Sequence, residues 1–378
     1  MHQALLPAGF HDLLFPDAYK KASIMNRFAS VLHNFGYELV EPPIIEFENS
    51  LFNGSGSQLK QQTFRLMDPV SHQMMGVRSD ITTQIARIAA TRLQKSPIPL
   101  RLSYGGDVFR VKGEGLYAER QLTQSGIELI GVDNAAADAE VILVIVTALK
   151  KLGIEGICVD FTLPRLAHII LDEMQYADSV KTELLDAINK KNIAEIEKLA
   201  KDNSKILVKL ASAGINVQDL QKIALPQTAQ PLCARLAEVL NITQASSEDF
   251  TISIDPLESE KFGYHTGIGF TIFAKGAKGE IGRGGRYEIA HEGSRISATG
   301  ATIYINEILR ILPINQQEYK IFVPFGTNWQ QIKDLANSEG KIVVCGSFRT
   351  DNITTEAIKQ GCNFIFADGK IIAVQESL

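Results

Sequence analysis

The chain has 378 residues, 45% of them hydrophobic, and 38 Lys and Arg against 43 Asp and Glu give a net charge of −5. That length exceeds one ordinary core and predicts two or three globular domains, while the acidic balance argues against a general nucleic-acid binder. No apolar run reaches the ~18 residues of a membrane-spanning helix, and the N-terminus lacks the pattern of a secretory signal, so a cytoplasmic, membrane-free protein is expected. Cys158, Cys233, Cys345 and Cys362 form no CxxC pair, which argues against structural zinc, and they are expected to be buried free thiols.

In chain order, an irregular lead-in precedes an amphipathic helix over Asp17–Phe35, in which Tyr19, Ile24, Phe28, Val31 and Leu32 recur at helical spacing and Gly36 ends the run. A short strand at Tyr37–Val40 stops at Pro42-Pro43, and paired strands are predicted at Thr63–Met67 and Gln73–Val77. The segment Arg78-Ser79-Asp80-Ile81-Thr82 opens a helix, and its side chains suit either capping or a ligand. A helix over Ala135–Leu152 ends at Gly153, and a strand follows at Ile157–Phe161. Residues 165–245 keep helical spacing and read as a helical insertion. Strands resume at Phe250–Ile254 and Gly267–Phe273. Gly284-Gly285 is expected to be a tight turn or a close-packing site, with a helix over Gly300–Leu312. From about Tyr319, strands alternate with helices up to a hairpin at Asp368-Gly369, and Trp329 is assigned to the core of this small α/β unit. The predicted domains are therefore 1–164 with 246–313, the insertion 165–245, and 314–378.

The segment Arg101–Gly131 reads as strand, glycine-rich polar loop, strand. Gln124 and Glu128 are an even number apart and share one face, with Arg110 and Arg120 on facing or neighbouring positions. Two guanidiniums, an amide and a carboxylate form a polar floor, which either binds a ligand or holds a buried ion network.

The order of Arg78–Thr82, Phe109-Arg110, Arg120-Gln121, Gln124, Gly126–Glu128, Tyr264 and Gly284–Tyr287 resembles the histidyl-tRNA synthetase family over residues 1–313. The resemblance implies an α+β fold of the class II aminoacyl-tRNA synthetase type: a mixed, mainly antiparallel sheet flanked by helices. It also implies an amino-acid pocket. Asp80 and Thr82 match the positions that hold the histidine ammonium, Gln124 and Glu128 those that contact the ligand, and Tyr264-His265 the aromatic pair against the imidazole. Arg110 would answer the carboxylate.

The ATP half of the resemblance fails. Lys112 stands where the family has a glutamate, and Glu260 and Glu307 stand where it has catalytic arginines; Tyr304 replaces a glycine. Acids beside a triphosphate remove the electrostatic stabilisation that adenylation needs. The tail is shorter and less basic than an anticodon-binding domain. A body that keeps the histidine pocket and loses activation resembles the regulatory subunits of ATP phosphoribosyltransferase. That implies a short catalytic subunit as partner in a hetero-octamer, self-association as a dimer, L-histidine as effector, and no cofactor, catalysis or tRNA of its own. The alternatives are a divergent histidyl-tRNA synthetase, a synthetase-like ligase, and a scaffold with a vestigial pocket.

Overall fold

The structure is a computed structural model and describes residues 5–52, 59–113, 119–201, 204–211, 220, 222–259, 263–291, 293–313, 319–338 and 340–374. It divides into two compact units, Met1–Leu312 and Pro313–Leu378. The first begins with helix α1 (Asp17–Asn34) and strand β1 (Glu38–Leu39). A small sheet follows, made of β2 (Ile45–Phe47), β3 (Phe64–Met67) and β4 (Met74–Val77), with the short helix α2 (Glu48–Leu51) after β2. Helix α3 (Thr82–Thr91) leads to the long hairpin β5 (Leu100–Phe109) and β6 (Gln121–Ile130), then α4 (Ala135–Leu152) to β7 (Cys158–Thr162). Helices α5 (Leu166–Glu173), α6 (Asp178–Asn189), α7 (Ile193–Ala200), α8 (Ser204–Ala211) and α9 (Gln230–Gln244) precede β8 (Thr251–Ile254), β9 (His265–Phe273), β10 (Gly282–His291), β11 (Ser294–Tyr304) and α10 (Ile305–Ile311).

The main sheet runs β1-β5-β6-β11-β10-β9-β7-β8. Its outer pairs β1–β5 and β7–β8 are parallel and the pairs between them antiparallel. It is thus the mixed, mainly antiparallel sheet of a class II synthetase-type α+β fold. Alternation gives it two different faces. One carries Ile127, Leu129, Phe270, Ala301 and Ile303 into a core shared with α1, α4 and the helices from α5 to α9. Helix α4 organises that core. The Asn134 side chain accepts from the Ala137 N–H at 2.9 Å at its start, and Gly153 closes it at φ 93°. Val141, Ile142, Ile145, Val146 and Leu149 are all buried between, each worth about 1.5–3 kcal/mol of apolar transfer. The other face carries Tyr104, Gln124, Glu128 and Tyr287 and is partly covered by α3.

A buried ion network ties the helices to the sheet. Asp138 on α4 accepts from Arg286 Nε of β10 at 2.9 Å and from Arg235 Nε of α9 at 2.9 Å. Arg286 also donates to the Val132 carbonyl at 2.9 Å and to Ser297 Oγ at 2.6 Å. Arg286 and Tyr287 are adjacent, so β10 reaches Asp138 of α4 with one side chain and the polar face with the next.

Several expectations need correction. Gly300–Tyr304 is strand, not helix, and the helix covers only Ile305–Ile311. Ala301, Ile303 and Ile305 are buried at a period of two, while Ile305 and Ile308 continue at helical spacing, so one apolar run served both templates. Gly284-Gly285 lies inside β10, not in a turn, but the close packing is real. A Cβ on Gly285 (φ 152°) would stand 2.6 Å from His265 Cδ2. Arg120 has left the polar floor: its guanidinium packs over Phe10 and Phe64 and donates to the carbonyls of Ala8 and Arg110, anchoring the lead-in. Cys233 and Cys362 are buried thiols, but Cys158 is half-buried and Cys345 exposed.

In the second unit, β12 (Tyr319–Val323) lies parallel to β13 (Lys341–Cys345) and to β14 (Phe364–Ala367), and β15 (Lys370–Ala373) pairs antiparallel with β14. Helices α11 (Trp329–Ala336) and α12 (Ile353–Lys359) start at Asn328 and Asn352, whose side chains accept from the first-turn N–H groups. Asp368 and Gly369 both take positive φ in the β14–β15 turn, as a two-residue Asp-Gly hairpin requires. Trp329 is exposed, contrary to its assignment to the core of this unit.

Candidate functional site

Asp80 sits at the start of α3, and its carboxylate does two jobs. Oδ1 accepts from the Thr82 N–H at 2.9 Å, a local capping bond, while Oδ2 accepts from Gln124 Nε2 of β6 at 2.9 Å. The Gln124 amide oxygen in turn accepts from the Ile81 N–H at 3.1 Å. Thus α3 is fastened to the sheet through one amide, and Asp80 is held facing it. Arg78 reinforces this. It is buried, donates to the carbonyls of Asp107 (2.8 Å) and Pro42 (2.9 Å), and lies where a Cβ on Gly106 would be.

Four residues along β6, Glu128 is only 1% exposed. Its Oε2 accepts from Tyr287 Oη at 2.9 Å, and Tyr104 Oη lies 3.5 Å from Oε1. Tyr104 Oη is also 2.6 Å from Thr302 Oγ1 and 3.1 Å from Thr82 Oγ1. Burial pushes the Glu128 carboxyl up to about 8; the Tyr287 hydroxyl pulls the other way, and the nearby Asp80 charge adds to the rise. At neutral pH this favours the neutral form of the Glu128 carboxyl.

Tyr264 and His265 form the aromatic wall. Their rings stack at 4.3 Å, and Tyr264 meets Tyr287 edge-on at 5.8 Å. His265 is buried and pairs in register with Tyr287. Burial, with the Asp80 charge beside it, holds the Tyr264 phenol protonated. Asp80, Thr82, Gln124, Glu128, Tyr264 and His265 are thereby brought to one face of the sheet. Arg110 follows the end of β5, where its N–H donates to the Arg120 carbonyl at 2.8 Å, and its charge reaches Tyr304 at the rim of the group.

Sequence reasoning missed Tyr104, Thr302, Arg283 and the glycines beneath them. Gly126 and Gly300 carry no side chain so that others can lie flat. A Cβ on Gly126 would stand 2.5 Å from Tyr104 Oη, and one on Gly300 would overlap the Glu128 carboxylate and come within 2.7 Å of the Ile127 carbonyl. Gly300→Ala is expected to lose about 1–3 kcal/mol of stability to overpacking and to displace Glu128. Chemical denaturation and ligand calorimetry on the variant measure the two effects. The signal available in the sequence was the even spacing of Gly106, Gly126 and Gly300 with the polar residues, legible only once strand register is known.

The region that the synthetase resemblance would give to ATP differs from this polar face. Glu307 on α10 pairs with Arg310, and Arg310 pairs with Glu119, so the local cation is enclosed by two acids. Burial raises the Glu307 carboxyl. Tyr304 ends β11 opposite Gln124, with Arg283 Cζ 5.8 Å over its ring. Glu260 and most of the 112–119 loop lie outside the described residues. Among the described residues no cluster of His, Cys, Asp and Glu suits a metal ion, and no helix is long and apolar enough to cross a membrane.

Comparison with known proteins agrees with this frame. The sequence model of the histidyl-tRNA synthetase family matches residues 9–308. The ATP phosphoribosyltransferase regulatory subunit of Rhodospirillum centenum is 42% identical over 99% of this chain and 97% of its own, and that of Paramagnetospirillum magneticum 40% identical over 99% of both. Two solved structures share the fold. The Bacillus halodurans protein described as an ATP phosphoribosyltransferase regulatory subunit/histidyl-tRNA synthetase has a TM-score of 0.79 at 22% identity, covering 97% of this chain and 98% of its own. The histidyl-tRNA synthetase of Nostoc sp. PCC 7120 has a TM-score of 0.77 at 17% identity, covering 96% and 91%. A histidyl-tRNA synthetase framework joined to near-full-length identity of this order places the chain in one group: it belongs to the ATP phosphoribosyltransferase regulatory subunit family, built on the histidyl-tRNA synthetase fold.

Proposed function

We infer that this chain is a non-catalytic histidine sensor that activates a short ATP phosphoribosyltransferase catalytic subunit and carries feedback inhibition to it. The observation that carries the reading is the joining of Asp80, Thr82, Gln124 and Glu128 on one polar face beside the Tyr264 wall. Two acids at one pole suit the ammonium of an amino acid, and flat aromatic rings suit an imidazole. The loss of activation chemistry is supported by Glu307, whose acid, with Glu119, surrounds Arg310 where a triphosphate would need uncompensated cations. The assembly is a cytoplasmic hetero-octamer with the catalytic subunit, with this chain self-associating as a dimer and binding no tRNA. Inhibition requires that histidine bind one assembly state better than the other, since equal affinity shifts nothing.

The test is reconstitution. Phosphoribosyl-ATP formation by the short catalytic subunit is expected to rise on adding this chain and to fall again with histidine. This chain alone is expected to show no histidine-dependent pyrophosphate–ATP exchange. A rate indifferent to both additions, or robust exchange, overturns the reading.

A further inference from the structure

The pocket's acids account for the positive end of an amino acid, and the negative end needs a cation on the same face. Strand alternation puts Arg283 there with Gly285 and Tyr287. Arg283 stands directly opposite Thr302 of β11 and Thr271 of β9. Thr302 Oγ1 is the hydroxyl that lies 2.6 Å from Tyr104 Oη and 3.5 Å from Thr82 Oγ1, so Arg283 is one strand away from the polar cluster. Its guanidinium donates to Glu280 and lies over the Tyr304 ring, with the side chain about three-quarters buried. A rooted, planar fork of this kind matches a carboxylate in two parallel hydrogen bonds. Tyr264 and Tyr304 both lie in the fields of Asp80 and of Arg283, so a negative pole and a positive pole address the same two rings.

We propose that Arg283 holds the α-carboxylate of the effector, so that the pocket reads an amino acid by both ends: Asp80 with Glu128 on the ammonium side and Arg283 on the acid side. This rests on the reading of the pocket as a histidine sensor and adds a specificity residue to it. Arg110 is less well placed. It lies beyond the end of β5, four residues past Gly106, the register partner of Gln124, and eight past Leu102, the partner of Glu128, so it stands at the far end of the face from the second acid. Its charge also acts on Tyr304 more weakly than that of Arg283.

The experiment compares L-histidine with L-histidinol, in which a hydroxymethyl group replaces the carboxylate, by calorimetry on the full-length chain and its Arg283→Met and Arg283→Lys variants. The unaltered chain is expected to prefer histidine. Arg283→Met is expected to weaken histidine by about 10- to 100-fold, the loss typical of a charge-assisted contact, and to leave histidinol binding where it was. Arg283→Lys keeps the charge without the fork, should recover part of the preference, and guards against a methionine variant that fails to fold. An unchanged histidine-to-histidinol ratio in the variants overturns the assignment, as does equal weakening of both ligands, which marks a structural role. An unaltered chain that binds neither ligand overturns the sensor reading itself.

Discussion

Asp80→Asn is expected to weaken histidine binding by about 10- to 100-fold, the 1.5–3 kcal/mol typical of a hydrogen bond to a charged group. The asparagine oxygen can still accept from the Thr82 N–H, but its NH2 then faces the Gln124 NH2, so the Asp80–Gln124 bond is lost with the charge proposed to meet the ligand's ammonium, while the Gln124–Ile81 bond still ties α3 to the sheet. Glu128→Gln tests the second acid and carries a pH signature. Because the Glu128 carboxyl is pushed up to about 8, it is mostly protonated at pH 7 in the empty pocket. A bound cation favours the carboxylate, so binding releases a proton, and histidine affinity should rise with pH until the ligand's own ammonium titrates. The same shift acts on stability. A carboxyl whose folded value lies above its ordinary 4.5 contributes stability that is present below that value and is lost as pH rises towards about 8. Glu128→Gln should flatten both dependences. Calorimetry in two buffers of different ionisation enthalpy counts the proton, and denaturant titrations at pH 5 and pH 8 follow the stability. Proton uptake on binding, or a pH slope that survives in Glu128→Gln, contradicts this account.

Asp138→Ala is expected to be the most destabilising single change outside the pocket, at about 3–5 kcal/mol. The carboxylate is buried and lies between Arg286, itself buried, and Arg235. Removing it leaves the buried Arg286 guanidinium with only the exposed Asp133 carboxylate, 3.5 Å away, as counter-ion, and breaking a buried pair from one side costs far more than the pair contributes when intact. Arg235→Met should cost much less, because the Asp138–Arg286 pair survives and Arg235 is the more exposed partner. A double variant less destabilised than the sum of the two singles would place all three groups in one network. Since Arg286 adjoins Tyr287, which donates to Glu128, the same variants should disturb histidine binding. Denaturant midpoints with and without histidine measure both consequences.

Much of the frame could be read in one dimension. Helix α4 shows why: an asparagine cap, an unbroken apolar run and a closing glycine are local signals that no distant contact has to supply. The β5–β6 hairpin and the terminal Asp-Gly turn are similar, because alternation and turn chemistry are properties of neighbouring residues. The even spacing of Gln124 and Glu128 likewise placed them on one face before any partner was known. Where a short apolar run fitted both periods, as from Gly300 to Leu312, local pattern chose wrongly, since only pairing with β6 and β10 makes its first half a strand.

By itself, then, the sequence determined most of the element order but not the strands β10 and β11, together with the shared face of Gln124 and Glu128 and the resemblance that nominated Asp80, Thr82 and Tyr264. Tertiary structure decided the rest, because it depends on register between strands distant in the chain. Register sets Gly300 under Glu128 and Thr302 beside Arg283, and it sends Arg286 to Asp138 while Tyr287 turns to the pocket. It also moved Arg120 out of the polar floor to the lead-in, where Phe10 and Phe64 receive it. Side-chain direction along a strand is a local property. Which side chains meet is a property of the sheet, fixed by hydrogen-bonded pairing across 168 to 180 residues between β6 and β11.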